Sequence, residues 1–228
     1  MVAMSAVTAG PYLAGIGNLG PVTDVVPAKP VGYQQATKAL LRASLLDGMR
    51  GLLRNGDWST VTMTDVAAAA GVSRQTVYNE FGSRLGLAQA YATRLTDEFC
   101  TVVTDAVHRN VGEVRNALRE GFSNFFVISA SDPLVQSLLR GEAKPDLLRL
   151  ITTDASPLIT RASDQLSAML QQSWLGVDPT DAHRVGRAIS RMALSYIAMP
   201  PEGDRDVADD LAEIFAPVLT SAAGAAHR

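Results

Sequence analysis

The chain has 228 residues, of which 47% are hydrophobic and 19% are charged, so it can bury a sizeable core and is not a disordered chain. Its single cysteine, Cys100, excludes an internal disulfide, fits a reducing compartment and is expected to be a small buried hydrophobe. The cysteine and the three histidines show no metal-ligand spacing. No apolar run reaches the ~18 residues that span a bilayer, and no basic segment of a signal peptide precedes Lys29. We therefore expect a cytoplasmic globular protein that uses no metal or other cofactor.

The formal net charge of −3 is distributed unevenly along the sequence. Residues 36–95 contain seven basic and four acidic side chains, a net charge of +3, which leaves −6 for the rest of the chain. This asymmetry predicts a basic module, suited to an anionic partner such as a nucleic acid, attached to an acidic body. The positive excess is small, so we expect the affinity for such a partner to depend on dimerisation and geometry as well as on charge.

Residues 1–35 are apolar but interrupted by glycine and proline, and they predict a flexible N-terminal arm. Within the arm, residues 15–20 match the G-x-G-x-x-G pattern of dinucleotide-binding proteins. No strand-like run precedes the pattern, and Pro11 and Pro21 flank it. We therefore do not interpret it as a nucleotide site.

A first amphipathic helix is predicted over residues 36–54. The apolar side chains of Leu41, Leu45 and Met49 recur there at helical spacing. Gly56 is expected to end this helix.

Residues 62–84 predict two short helices joined by a tight turn. Thr62 and Asp65 have the spacing of a capping box at the start of the first short helix. Gly71 can supply the positive φ that the turn needs, and Ser73 can cap the second short helix. Helices arranged in this way form a helix-turn-helix module, whose last helix enters the major groove of DNA.

The second short helix has two different faces. Val77 and Phe81 lie four residues apart, so they share a face that can pack inward. Because arginine can pair with guanine, and glutamine or asparagine with adenine, we expect the opposite face to read bases. That face is formed by Arg74, Gln75, Tyr78 and Asn79.

This run of residues resembles the DNA-binding domain of the TetR family of bacterial transcriptional regulators. The positions that match the family's pattern are Thr62, Asp65, Val66, Ala67, Ala70, Gly71, Val72, Ser73, Tyr78, Phe81 and Ser83. The resemblance covers roughly residues 36–95, and Arg84 stands where the family usually has a lysine. It implies a DNA-binding module followed by a helical bundle for effector binding and dimerisation.

The predicted DNA-binding residues lie on the second short helix and at helix N-termini. Arg74 and Gln75 come first on the exposed face, so we expect them to make the main base contacts. Tyr78 and Asn79 are expected nearer the DNA backbone. Helix N-termini attract phosphates through their N–H groups and dipole. The complete predicted set is Thr62, Thr64, Ser73, Arg74, Gln75, Thr76, Tyr78, Asn79, Ser83 and Arg84.

Every later segment is also predicted to be helical, which makes the fold class all-α. The helix-turn-helix domain occupies residues 36–83, and an effector-binding and dimerisation domain occupies residues 84–228. Ser83 is expected to cap a long fourth helix that ends near His108. The later helices are predicted at residues 111–130, from Asp132-Pro133 to Gly141, from Lys144-Pro145, from Pro157 to about Trp174, from Asp178-Pro179 to Pro200, and at residues 204–220.

The ninth of these helices has two faces suited to packing. One is a stripe of small residues, and the other is large and apolar. The resemblance implies that the eighth helix and one of the last two pair with their copies in a homodimer, which suits a palindromic operator. The sequence leaves a second interpretation open, in which both faces belong to the core of one chain. The two faces are Ala182, Gly186, Ser190 and Ala193, and Val185, Ile189, Met192 and Tyr196.

Seven large side chains of the second domain are expected to line a ligand cavity. The resemblance implies an effector pocket between these helices, and few charged residues fall on the inward faces. We therefore expect a lipophilic ligand, such as a fatty acid, an acyl derivative or a drug-like aromatic. Packing in a closed core is the alternative interpretation. The seven residues are Phe122, Phe125, Phe126, Met169, Trp174, Met192 and Tyr196.

These features predict a sequence-specific DNA-binding transcriptional regulator and not an enzyme. The sequence has no nucleophile elbow, HExxH motif or phosphate loop. We expect a repressor that a lipophilic small molecule releases from a palindromic operator. Two alternatives stay open: an activator, since the sequence carries no sign of promoter geometry, and a small-molecule-binding protein whose DNA-binding module is vestigial.

Overall fold

The computed structural model describes residues 32–140, 145–201 and 206–226. Within these ranges every regular element is an α-helix, which confirms the all-α prediction. Residues 1–31 of the predicted N-terminal arm lie outside the described residues. None of the described helices is long and apolar enough to cross a membrane. The helices are α1 (Tyr33–Asn55), α2 (Met63–Ala69), α3 (Arg74–Phe81), α4 (Arg84–Arg109), α5 (Val114–Ser131), α6 (Pro133–Leu139), α7 (Pro145–Ile151), α8 (Ser156–Gln172), α9 (Pro179–Ala198) and α10 (Val207–Ala226).

The first three helices form the helix-turn-helix module, and their ends follow from local sequence. α1 begins at Tyr33, three residues before its predicted start, and Gly56 follows its last residue as predicted. α2 begins after a complete capping box, and α3 begins after Ser73, whose side chain caps it. Gly71 has a φ of 67°, as the predicted turn requires. The three helices therefore form where the sequence predicts them.

One hydrophobic core extends from the module into the body, which consists of α4 to α10. In the module the core contains Leu45 of α1 and Val77 of α3, both fully buried. It continues through Tyr91 of α4 to Phe125 of α5 and Leu134 of α6. The module and the body therefore share one continuous hydrophobic core.

A second core lies between α5, α8, α9 and α10, and it explains the small residues of α9. A Cβ at Gly186 would lie 2.9 Å from the carbonyl oxygen of Ser163 on α8, so only glycine permits this close approach. Ala182 and Ser190 of the same stripe are buried as well. The small-residue stripe therefore packs within the chain, which is the second of the two interpretations left open above.

Candidate DNA-binding surface and apolar cavity

Hydrogen bonds in their first turns fix the two short helices. The amide of Asp65 donates to Oγ1 of Thr62 at 3.2 Å, and the amide of Thr62 donates to Oδ2 of Asp65 at 3.0 Å. The Thr62 hydroxyl also donates to Oδ2 of Asp65 at 2.7 Å, and this bond, with the one from the Thr62 amide, lowers the pKa of the Asp65 carboxyl. Oγ of Ser73 accepts from the amide of Thr76 at 3.1 Å. Thr62 and Ser73 therefore hold the helix starts, and Thr64 is exposed on α2.

The exposed face of α3 carries two pairs of side chains, each spaced by one helical turn. Nη2 of Arg74 donates to the hydroxyl of Tyr78 at 3.3 Å, and the guanidinium carbon lies 5.2 Å from the centre of the Tyr78 ring. Nε2 of Gln75 donates to Oδ1 of Asn79 at 2.9 Å. Val77 on the opposite face is fully buried. The division of α3 into an inward apolar face and an outward polar face is thus confirmed.

The start of α4 contains the last two residues of the predicted DNA-binding set. The hydroxyl of Ser83 accepts from the amide of Gly86 at 3.0 Å and caps the helix. Nε of Arg84 donates to the carbonyl oxygen of Val61 at 2.9 Å, and Nη2 donates to that of Trp58. The guanidinium carbon lies 3.9 Å from the centre of the Trp58 ring. Arg84 therefore ties α4 to the segment between α1 and α2, a position different from the predicted phosphate contact at the surface.

An ionic contact between α1 and α3 involves residues outside the predicted set. Nη1 of Arg42 donates to Oε1 of Glu80 at 2.7 Å, and Nζ of Lys38 lies 3.9 Å from Oε2. The Glu80 side chain is only 8% exposed, and the Arg42 guanidinium carbon lies 4.8 Å from the centre of the Phe81 ring. These contacts hold the end of α3 against α1. The four-residue spacing of Lys38 and Arg42 places both on one face of α1. It does not indicate which other helix that face contacts.

Much of the positive charge in residues 36–95 is engaged within the chain. Arg50 pairs with Glu98, and Arg94 pairs with Asp47, each at 2.6 Å. Arg42 is paired with Glu80, and Arg84 donates to the carbonyl oxygens of Val61 and Trp58. Fewer cations are therefore available to phosphates than the composition implies, so shape and helix ends gain importance in DNA binding.

An apolar cavity of about 140 Å³ lies in the body and is lined by side chains from α4 to α10. None of the described side chains that line it is charged. Trp174 requires a correction, because α8 ends at Gln172 and the indole Nε1 donates to the carbonyl oxygen of Val107 at 2.7 Å, so this ring does not line the cavity. The other six predicted residues do line it: Phe122, Phe125, Phe126, Met169, Met192 and Tyr196.

A chain of aromatic rings contributes to the lining of the cavity. The ring centres of Phe99 and Phe125 are 5.0 Å apart, those of Phe125 and Phe126 are 5.4 Å apart, and those of Phe126 and Tyr196 are 5.3 Å apart. Phe99 was not predicted, although it continues the apolar face of α4. Cys100 also lines the cavity, and burial raises the pKa of its thiol to about 12. The thiol is therefore protonated at neutral pH, in agreement with the expected small buried hydrophobe.

Comparisons with known proteins identify the family of this chain. Residues 45–91 match the bacterial regulatory proteins of the tetR family, and residues 113–217 match the C-terminal domain of the bacterial tetracyclin repressor. The chain is 54% identical over 197 residues to the HTH-type transcriptional regulator AlkX of Mycobacterium tuberculosis H37Rv, covering 86% of this chain and 93% of that protein. The chain belongs to the TetR family.

Two further relatives agree with this assignment. The crystal structure of the TetR family repressor AlkX from Dietzia sp. strain DQ12-45-1b, implicated in biodegradation of n-alkanes, gives a TM-score of 0.75 at 44% identity. It covers 80% of this chain and 96% of that chain. An uncharacterized HTH-type transcriptional regulator of Mycobacterium tuberculosis is 27% identical over 197 residues, covering 81% of this chain and 88% of that protein. TetR-family proteins bind DNA and dimerise, so the chain is a DNA-binding transcriptional regulator and not an enzyme, as predicted.

In this TetR-family regulator, the start of α6 is linked to the helix-turn-helix module. The hydroxyl of Tyr91 donates to Oδ2 of Asp132 at 2.8 Å and accepts from Nε of Arg50, on α1, at 2.7 Å. Burial raises the pKa of Tyr91, and the nearby Asp132 carboxylate raises it further. The hydroxyl therefore stays protonated and can donate to Asp132, which caps α6.

Ser137, which is fully buried, forms a second link between α6 and the module. Its hydroxyl accepts from the amide of Trp58 at 2.9 Å and donates to Oδ2 of Asp57 at 2.8 Å. Burial acts to raise the pKa of Asp57, but hydrogen bonds from Ser59, Ser137 and Arg140 outweigh it and lower the pKa. α6 thus contacts both the module and the cavity. Its cavity-lining side chains are Leu134, Val135 and Leu138.

An ion pair joins α4 to α8. Arg161 donates to both carboxylate oxygens of Asp97, at 2.5 and 2.8 Å, and Nε2 of Gln165 donates to Oδ1 at 2.6 Å. Burial acts to raise the pKa of Asp97, but the hydrogen bonds from Arg161 and Gln165 prevail and lower it. The pair holds α4, the helix that follows the module, against α8, which packs on α9.

The outer face of α8 and α9 is polar. A groove of about 420 Å³ on this face has basic residues of α9 on one side and Asp164 of α8 on the other. The large apolar face predicted for α9 instead faces inward, since Ile189, Met192 and Tyr196 line the cavity. The face of α8 and α9 that points away from the cavity is therefore polar. Its basic residues in the groove are His183, Arg187 and Arg191.

Proposed function

We propose that this TetR-family regulator is a cytoplasmic repressor, which binds a palindromic operator as a homodimer and leaves it when a lipophilic molecule fills the cavity. The observation that carries the proposal is the position of α6. Three of its side chains line the cavity, and its N-cap Asp132 and its residue Ser137 hydrogen-bond to residues that hold the module. The Dietzia relative, described as a repressor, supports the direction of regulation.

The exposed face of α3 supports sequence-specific binding. Arg74 and Gln75 stand at its start with side chains suited to guanine and adenine. A two-fold dimer places two such helices one or more helical turns apart, ~34–36 Å per turn, which matches a palindrome. Thr64, Thr76 and Ser83 would contribute polar contacts around these two helices.

The lining of the cavity supports a lipophilic effector. An ionised group would lose its hydration there without gaining an oppositely charged partner among the described lining residues, all of which are uncharged. The part of the ligand that enters is therefore an alkyl chain or an aromatic ring, as in a fatty acid, an acyl derivative or an aromatic drug. The n-alkane degradation with which the Dietzia relative is associated is compatible with an alkyl chain.

The size of the cavity supports a mechanism of release. Its volume of about 140 Å³ is close to that of an apolar cavity that holds benzene, and smaller than the ~300–1,000 Å³ of most ligand sites. A longer ligand must therefore separate the surrounding helices. Such a ligand binds the expanded arrangement more tightly than the closed one, so it shifts the population towards the expanded arrangement.

The contacts of α6 support a route from the cavity to DNA. A ligand that displaces Leu134 moves the helix whose ends hold the module. Movement at Asp132 disturbs Tyr91 and Arg50, and movement at Ser137 disturbs the peptide of Trp58. The two recognition helices of the dimer then lose the spacing that the operator requires.

The polar outer face of α8 and α9 supports the homodimer. In a two-fold dimer both subunits use the same surface patch. A residue i of one subunit therefore contacts a residue j of the other, and the reverse contact also occurs. The arginines of α9 in one subunit would then face Asp164 of the partner. Charge complementarity of this kind fixes register between subunits.

The test starts with the full chain and random-sequence DNA, from which bound sequences are selected. Mobility shift with the selected operator is then repeated with fatty acids, acyl thioesters and hydrophobic aromatics. If an effector lowers operator affinity tenfold, operator DNA must lower effector affinity tenfold, which corresponds to about 1.4 kcal/mol of coupling. Unequal factors would contradict a two-site equilibrium.

The same experiment separates the two alternatives. If the protein binds small molecules but selects no sequence from random DNA, its DNA-binding module is vestigial. An effector that raises operator affinity indicates an activator or a corepressor-dependent regulator. If the protein binds an operator but no ligand changes its affinity for that operator, the proposed release by an effector would be wrong.

A further inference from the structure

The side chains of Gln75 and Asn79 form an amide pair on the exposed face of α3. Nε2 of Gln75 donates to Oδ1 of Asn79 at 2.9 Å. Both residues are exposed, and both lie opposite the buried Val77. A residue pair spaced by four on a helix surface can hold such a hydrogen bond without strain. The pair is therefore presented together on the surface that faces DNA.

In the structure this hydrogen bond is made with Nε2 of the Gln75 amide turned towards Asn79. Oε1 of Gln75 then points to the other side. One N–H of Nε2 and both lone pairs of Oε1 remain available, since an amide has two donors and a two-fold acceptor. The Gln75 side chain thus keeps one donor and one acceptor side by side in a fixed order.

Adenine has the complementary order of groups in the major groove. Its N7 accepts and its N6 amino group donates, and glutamine pairs with both through Nε2 and Oε1. We infer that Asn79 is a positioning residue, which orients the amide of Gln75 for adenine. The inference rests on the proposed function and changes the expected role of Asn79, which was a contact near the DNA backbone.

Loss of Asn79 should relax the preference rather than abolish the contact. A freely rotating Gln75 amide can offer either its donors or its acceptor to a base edge. Guanine and thymine expose acceptors in the major groove, and cytosine exposes a donor, so each can pair with one orientation. The discrimination for adenine should therefore fall at the base pair that Gln75 reads.

The experiment compares the full-length wild type with Gln75→Ala, Asn79→Ala, Asn79→Asp and the double alanine variant. The wild-type operator is obtained by selection from random DNA, and each protein is then titrated against operators with all four bases at each position. Gln89→Ala, which removes an exposed amide from α4, is the matched control. Circular dichroism checks that each variant folds.

We expect Gln75→Ala to lose the preference for adenine at one base pair per half-site. Asn79→Ala should lower the same preference by roughly three- to tenfold, part of what one bidentate pair provides. Asn79→Asp keeps the acceptor, so it should keep the preference, although its charge weakens binding to all operators. The double variant should match Gln75→Ala, and the control should keep the wild-type preference.

Three results would overturn the inference. Asn79→Ala with an unchanged preference for adenine shows that the amide needs no orientation. Loss of preference at a different base pair shows that Asn79 itself reads a base. A wild type that selects no sequence overturns the proposed function together with this inference, whereas the first two results leave the proposed function intact.

Discussion

Arg84 shows how a single residue can lie at a predicted position and face in another direction. Its place at the start of α4 suited a phosphate contact, but its guanidinium donates to the carbonyl oxygens of Val61 and Trp58. It also stacks on the Trp58 ring. A planar group with several fixed donors can satisfy two carbonyls at once, which an ammonium group does less well. At the residue scale, Arg84 therefore holds the module to the body.

We expect Arg84→Ala to destabilise the fold more than it alters the dependence of DNA binding on salt. Loss of hydrogen bonds to two carbonyls should lower the free energy of unfolding by about 1–3 kcal/mol. Denaturant unfolding measures this loss, and operator titration at several salt concentrations measures the salt slope. Arg84→Lys should recover only part of the stability. A stable Arg84→Ala variant whose salt slope falls by about one charge would restore the predicted phosphate contact.

Local features of the module were predictable, and long-range contacts were not. The capping box of Thr62 and the cap at Ser73 depend on residues three positions away, so the sequence alone specifies them. The partners of Arg84 lie 23 and 26 positions away, and that of Arg42 lies 38 positions away. Such contacts depend on how helices cross, which helical spacing does not encode. The cavity was expected from the family resemblance and not from helical spacing, and six of the seven residues predicted on that basis line it.

At the scale of elements, α6 is a short helix with contacts to both functional regions. Its seven residues include cavity-lining leucines and the buried Ser137. Neither the two links to the module nor the position beside the cavity could be inferred from its sequence, because proline at its start predicts only where the helix begins.

Ser137→Ala should weaken both the fold and the coupling between effector and operator. The amide of Trp58 would lose its acceptor in a buried site, which should cost about 1–3 kcal/mol of unfolding free energy. Thermal melting measures stability, and mobility shift with and without effector measures coupling. Ser129→Ala is the matched control, because the buried Ser129 hydroxyl donates only to Phe125 of its own helix. Equal effects of both variants on coupling would argue against α6 as the connection.

The Asp97–Arg161 pair between α4 and α8 should make stability depend on pH in acid. The pKa of Asp97 is lowered from 3.8, so its contribution is complete above that value and disappears as the pH falls through the lower pKa of the folded state. Asp97→Asn should lower stability at neutral pH by about 1 kcal/mol or less, because the pair is partly exposed. It should also flatten the acid limb below pH ~4 in denaturant titrations. Asp105→Asn, on the same helix, is the control, and an identical acid limb in both variants would exclude the pair as its cause.

At the scale of the whole molecule, the family assignment requires a dimer, and both predicted packing faces of α9 are used inside the chain. The polar groove on the outer face is what α8 and α9 still present to a partner. A dimer through this face depends on matched charges more than on apolar area.

A charge exchange tests this arrangement. Arg187→Asp and Asp164→Arg should each weaken the dimer by roughly tenfold or more, because every pair occurs twice about a two-fold axis. The double variant should recover association by restoring opposite charges. Sedimentation at micromolar concentration measures the monomer fraction. Single variants that stay fully dimeric would place the interface elsewhere.

The cavity in the body links ligand binding to the thermal stability of the protein. The side chains around the cavity of about 140 Å³ lack packing partners that a filled core would give them. A molecule that occupies the cavity supplies such partners, so binding should raise the melting temperature by several degrees. Under the proposed mechanism, the compound that releases the protein from its operator should therefore also raise its melting temperature. The proposed response to ligand and the lower thermal stability of the free protein would then have one origin, the packing contacts that are missing around the cavity.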